Sequence, residues 1–236
     1  MTTAGGMRCR RFFSCCCSHP PVAISAISAL TAAAFFCDWP GVGGGAYVVG
    51  RDCDVPGSAG MALRSLFAHA SPMHWSGNAL TTLMVGVPLE GLHGWWRTAC
   101  IYFGSGLVGV FAFASWRGVG IRYVGASPAV YGLIASFGSH LMLNWAEVPL
   151  RIYWLVVLVS YASFDTAYAL DSVDDPLNRV AHVSHLGGAL GGLFLSLPLL
   201  RNQVFLEWEA SLVLVGVAAY TFLLWTTLIE STCAWW

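Results

Sequence analysis

Seven mostly apolar stretches run along the chain, at approximately 21–37, 72–89, 97–115, 127–144, 150–169, 181–200 and 210–229. Each approaches the roughly 20 residues that a helix needs to cross about 30 Å of hydrocarbon, at about 1.5 Å per residue. Lipid offers no water to backbone N–H and C=O groups, so these stretches are predicted as helices. The breaks between them carry stopping residues. Pro40 and the run Gly41 to Gly45 follow the first, Arg117, Gly118 and Gly120 follow the third, and Asp171, Asp174, Asp175 and Pro176 follow the fifth. The longest connection, 38–71, is too polar to span, yet it carries Tyr47, Val48, Val49, Leu63, Leu66 and Phe67. That mixture suits a loop lying in the interface or embedded in the bilayer. The predicted fold class is all-α, a polytopic membrane helical bundle. Its parts are an N-terminal cytoplasmic tail (1–20), a six-span core (21–200) and a seventh span with a C-terminal tail (201–236).

Composition agrees with the pattern. Apolar residues make up 57% of the chain and charged residues 10%, against about a quarter charged in soluble domains. The lipid bilayer is therefore the expected surrounding. All 11 basic residues are Arg, and the net charge of −1 leaves no basic surface for nucleic acid. None of the 8 Cys forms a C-x-x-C pair, so neither a thiolate metal site nor a cofactor is expected. Cys15, Cys16 and Cys17 either offer acylation sites beside the first span or form a plain cysteine-rich tail. Arg8, Arg10 and Arg11 precede the first span without an acid, which places that end in the cytoplasm by the positive-inside tendency.

Ionisable groups inside spans are rare and usually functional. His74 and Asn78 start the second span, Ser127 starts the fourth, Asp165 lies toward the end of the fifth, and His182 and His185 lie in the sixth. Spans two, four and six begin on the same side of the membrane, so their first turns share one depth. His74 and Asn78 are four apart and share a helix face, as do His182 and His185 at a spacing of three. Gly188 and Gly192 form a small-residue ridge, and Gly132 offers a matching shallow surface. Close approach there is what a hydroxyl–imidazole contact between spans four and six requires. His140 is too far down its helix to join and is read as structural. Glu90 and Arg97, at the opposite end, are expected to tie spans two and three.

Four pieces of the chain then resemble, in order, the rhomboid family of intramembrane serine proteases. His74-Trp75-Ser76-Gly77-Asn78 resembles the family's H-x-x-x-N helix, and Leu89-Glu90 its "LE" pair. Gly125-Ala126-Ser127-Pro128 resembles G-x-S-G, with Tyr131 four residues after the serine. Ser184-His185 followed by Gly188 and Gly192 resembles A-H-x-x-G-x-x-x-G. The resemblance implies a rhomboid-like six-helix core plus one C-terminal span. It implies a serine endopeptidase with Ser127 and His185 as catalytic dyad and His74 and Asn78 as oxyanion donors. Gly125, Tyr131 and Gly188 would support them, Tyr131 by stacking on His185. The partners implied are single-span membrane proteins, cut within the bilayer. A layout with the extra span last resembles relatives of the secretory pathway or plasma membrane, while the Arg-bearing start leaves a mitochondrial membrane open.

Three departures stand out: Pro128 for Gly, Ser184 for Ala, and Leu63-Arg64 where many relatives have Trp-Arg. Ser127 is expected as N-cap of its helix and Pro128 as its first residue, a position that Pro favours. Pro128 also motivates the alternative reading, a catalytically inactive rhomboid-like protein that binds membrane clients; the presence of both Ser127 and His185 argues against it. A transporter is opposed by the lack of internal repeats and of paired charges in the spans.

Overall fold

The computed structural model describes residues 19–37, 47–49, 58–117, 121–171, 181–202, 204 and 206–231. The tail cysteines, the Gly41 to Gly45 run and Asp174 to Pro176 lie outside these residues. The described residues form helices α1 Val22–Phe36, α2 Ser58–Ser65, α3 Pro72–His93 and α4 Trp95–Arg117. They continue with α5 Ser127–Leu143, α6 Arg151–Asp171, α7 His182–Leu199 and α8 Glu209–Ser231. Two short strands, β1 Tyr47–Val49 and β2 Ile121–Tyr123, pair antiparallel with Val48 opposite Arg122. The chain is thus a helical membrane bundle with one small ladder in its connections. Seven helices answer to the seven apolar stretches, and α2 lies within the long connection.

By length and apolarity alone, three helices among the described residues suffice to cross a membrane: α4, α6 and α8. The others fall short for local reasons. α1 and α5 have 15 and 17 residues, and α3 and α7 are diluted by His, Asn, Ser and Gly.

α4 is the central helix. Ile101, Tyr102, Val108, Val110, Phe111 and Ala114 are buried along it. Small residues let α5 and α7 approach each other and α4 closely. A Cβ on Gly188 would meet the Pro128 carbonyl group, and one on Gly192 would meet the Gly132 backbone. On the α4 side, a Cβ at Gly109 would strike Pro128, and one at Gly132 would strike Ser105. Pro128 thus sits in a seat made by Gly109 and Gly188. With no hydrophobic driving force between helices in lipid, such close backbone packing is a main source of association.

The C-terminal ends of α3, α5 and α7 are tied together. The Arg201 N–H donates to His93 Nδ1 at 2.9 Å, so His93 carries its proton on Nε2 and donates to His140 Nδ1 at 3.1 Å. Asn144 Nδ2 donates to the Arg201 carbonyl at 3.2 Å. His140 is structural, as its sequence position indicated. Glu90 has a different role from the expected one. Its two carboxylate oxygens accept from the Ala23 and Ile24 N–H groups, each at 2.8 Å, so it caps α1 rather than joining α3 to α4. A helix N-terminus carries unpaired N–H groups and a positive dipole end, which attract a buried carboxylate. Arg97 donates to the His93 carbonyl at 3.2 Å.

The long connection is held by protein contacts. Ala62 and Leu66 are buried, the Leu66 side chain lies over Gly106, and Phe67 packs on Phe103 with ring centroids 6.1 Å apart.

If the α5–α7 seam is as tight as this geometry demands, Gly192→Ala lowers stability by about 1–3 kcal/mol. Gly138→Ala, whose added Cβ would make only ordinary contacts near 3.9–4.0 Å, is neutral or stabilising. Thermal unfolding of the two variants in the same detergent checks the contrast.

Candidate functional site

The site is built where α3, α5 and α7 begin. The turn before α5 is fixed by Gly125, whose φ of 136° suits glycine. Its N–H donates to the Ser65 carbonyl at 3.1 Å, which ties the turn to the end of α2. A Cβ at Gly125 would lie 2.7 Å from His74 Cε1, so the glycine also makes room for that ring.

Ser127 is the first residue of α5, and the N-cap is Ala126, with no side-chain capping bond. This corrects the expectation that Ser127 would be the cap. The shift by one residue matters, because the hydroxyl is not spent on a capping bond and can face α7. Pro128 becomes the second helical residue, where an N–H would still lack an intrahelical partner. His185, on the first turn of α7, places Nε2 3.1 Å from Ser127 Oγ. Its Nδ1 is buried and has no hydrogen-bond partner among the described residues. Tyr131, one turn after Ser127, stacks on the imidazole with centroids 4.2 Å apart and planes 13° from parallel. The Tyr131 hydroxyl donates to Asp165 Oδ1 of α6 at 2.5 Å.

His74 and Asn78 line the same cavity as Ser127, Tyr131 and His185, a space of about 780 Å³. The His74 N–H is capped by Ser71 Oγ at 3.1 Å. Asn78 Nδ2 is buried without a partner. His69, ahead of α3, packs edge-on to His74 with centroids 5.3 Å apart. Burial, and then the neighbouring His74, bring His69 from 6.5 down to about 4, so it is neutral near pH 7. His182 stands near His185, 5.9 Å between centroids, and against Tyr168. All of Ser127, His185, His74, Asn78, Gly125 and Tyr131 gather here, and Gly188 lies under Pro128 in the seam. Among the described residues no group of three or more His, Cys, Asp or Glu is arranged to hold a metal ion.

Two contacts were missed in the sequence. Ser184, which departs from the family's Ala, is buried and shares a 2.8 Å hydrogen bond with the Tyr123 hydroxyl. Burial pushes the Tyr123 phenol up to about 12, against the pull of the Ser184 and Ser127 hydroxyls. A serine facing into a packed seam needs a partner, which was the available signal. Asp165 is legible in the sequence as an acid within a span, but its pairing with Tyr131 depends on how α6 docks.

These features define a helical membrane bundle with a serine hydroxyl and an imidazole in contact at the mouth of a cavity. The rhomboid domain matches residues 59–202, more than half of the chain. The chain belongs to the rhomboid family. It is 33% identical to Rhomboid-related protein 1 of Caenorhabditis elegans over 176 residues, which cover 70% of this chain and 46% of the relative. It is 30% identical to Rhomboid-related protein 3 of Homo sapiens over 166 residues, 67% of this chain and 41% of that protein. Against Rhomboid-type serine protease 2 of Emericella nidulans it is 28% identical over 137 residues, 58% of this chain and 26% of the relative. The aligned part thus spans less than half the length of each of these relatives.

Tyr123→Phe, which strands the Ser184 hydroxyl, lowers stability by about 1–2 kcal/mol. Adding Ser184→Ala restores most of that loss, because both partners are then apolar. Unfolding of the two single variants and the double variant measures the coupling.

Proposed function

We propose that this chain is an intramembrane serine endopeptidase that cleaves single-span membrane proteins by a Ser127–His185 dyad. The observation that carries the reading is the 3.1 Å approach of His185 Nε2 to Ser127 Oγ, at the wall of a cavity shared with His74 and Asn78. In this mechanism Ser127 Oγ attacks the scissile carbonyl carbon while His185 Nε2 takes its proton. His185 then gives the proton to the leaving amine as the C–N bond breaks. Water, activated by the same imidazole, hydrolyses the acyl-enzyme.

The oxyanion needs donors set in advance. The reading assigns this to the Ser127 N–H, at the positive end of the α5 dipole, with the side chains of His74 and Asn78. The unpartnered Asn78 Nδ2 supports that assignment: a buried donor without an acceptor is costly, and a transient oxyanion would satisfy it. Pro128 cannot donate, which puts more weight on the two side chains.

α6 offers a path for the substrate. It has no buried residue along its length, so a substrate helix could reach the cavity beside it. The alternative of binding without cutting rests on Pro128. The seat formed by Gly109 and Gly188 counts against it, since Ser127 stays within reach of the imidazole with Pro128 in place.

Co-expression with a tagged single-span substrate tests the reading. Ser127→Ala and His185→Ala each lower cleavage by on the order of 10³ or more. Asn78→Ala costs about 10²–10³ in kcat. A fluorophosphonate probe labels wild type and Pro128→Gly but not Ser127→Ala. Cleavage that survives Ser127→Ala sinks the protease assignment, and failure of wild type to label or cleave favours the client-binding alternative.

A further inference from the structure

The dyad reading leaves the imidazole under-determined. Among the described residues His185 Nδ1 has no hydrogen-bond acceptor, so none of their acids fixes its tautomer or its ring plane. What holds the ring is the face of Tyr131. That places the burden on whatever holds Tyr131.

Tyr131 is held from α6. Its hydroxyl donates to Asp165, and its ring lies 5.9 Å from that of Tyr161, one turn earlier on the same face of α6. At the same end α6 also meets α7, where Tyr168 packs against His182 with ring centroids 5.7 Å apart. A second cavity, of about 710 Å³, separates it from α5 and α7 and is lined by Leu158, Ala162 and Asp165 on the α6 side. Deeper in the bundle, α6 touches α5 again through Trp154 and Phe137, with centroids 5.4 Å apart. Tyr131, Tyr161 and His185 line both large cavities, so their rings form the wall between them. An ionisable side chain is costly inside a span unless it is paired, and Asp165 is directed at this wall.

We propose that Asp165 is a positioning residue for the catalytic pair: from α6, through the Tyr131 hydroxyl, it sets the ring against which His185 rests. The inference builds on the protease reading above. It makes the order of the Ser127–His185 contact depend on the docking of α6, the most exposed helix at the site. A substrate helix that displaced α6 would loosen the imidazole until α6 returned.

The variants that separate this from general packing are Tyr131→Phe, Asp165→Leu, Asp165→Asn and the double change Tyr131→Phe/Asp165→Leu. Tyr131→Phe keeps the stacked ring and loses the hydroxyl, and Asp165→Asn keeps an acceptor and loses the charge. Purified enzyme in vesicles with a single-span substrate gives kcat and KM, and fluorophosphonate labelling reports Ser127 reactivity without a substrate helix. Tyr131→Phe and Asp165→Leu are each expected to lower kcat and the labelling rate by about ten- to a hundredfold, the scale of a misplaced reacting group. KM stays within about twofold, the double variant is no worse than either single one, and Asp165→Asn recovers most of the rate. Additive losses, a change confined to KM, or an unchanged kcat in an active wild type would each overturn the positioning role while leaving the protease reading intact. A wild type that neither labels nor cleaves overturns the protease reading and the positioning role together.

Discussion

The approach of α5 to α7 is the constraint on which the rest depends. A hydroxyl and an imidazole on different helices can share a hydrogen bond only if the two backbones come closer than ordinary side chains allow. Gly188 and Gly192 remove the side chains that would keep α7 away, and Pro128 and Gly132 supply the surfaces that meet them. Gly109 on α4 completes the seat of Pro128. A single seam therefore sets the helix spacing, fits the unusual proline and brings His185 to Ser127.

Both ends of this seam carry buried polar groups. At the far end, hydrogen bonds among His93, His140, Asn144 and Arg201 join the helix termini. At the site end, polar groups are arranged with capacity in reserve: Asn78 Nδ2 and His185 Nδ1 are buried and unpartnered. Buried polar groups are ordinarily paired. At the far end His140 Nε2 is likewise buried without a partner among the described residues, yet the hydrogen bonds around it hold the helix termini together.

α6 stands apart from this frame. The other helices at the site bury residues in the seam or the core, whereas α6 buries none and faces a cavity on its inner side. Its link to the chemistry is polar and local, through Asp165 and Tyr131. A helix that buries no residue and borders a cavity can be displaced at lower cost than one packed by glycine ridges.

The periodicity and spacing of the chain by themselves determined the spanning helices, the shared depth of Ser127, His74, Asn78 and His185, and the glycine ridge that brings α5 to α7. These follow from local rules: apolar length, helix phase and the small size of glycine. The long connection was legible only as amphipathic, and its anchoring by Leu66 on α4 required the packed bundle. Three further features belonged to the tertiary structure alone. Glu90 serves α1, a helix over 60 residues away in sequence; Tyr123 serves Ser184; and Asp165 serves Tyr131. Each is a polar side chain whose partner is chosen by how helices and connections dock, and helix phase carries no record of which neighbour a face will meet.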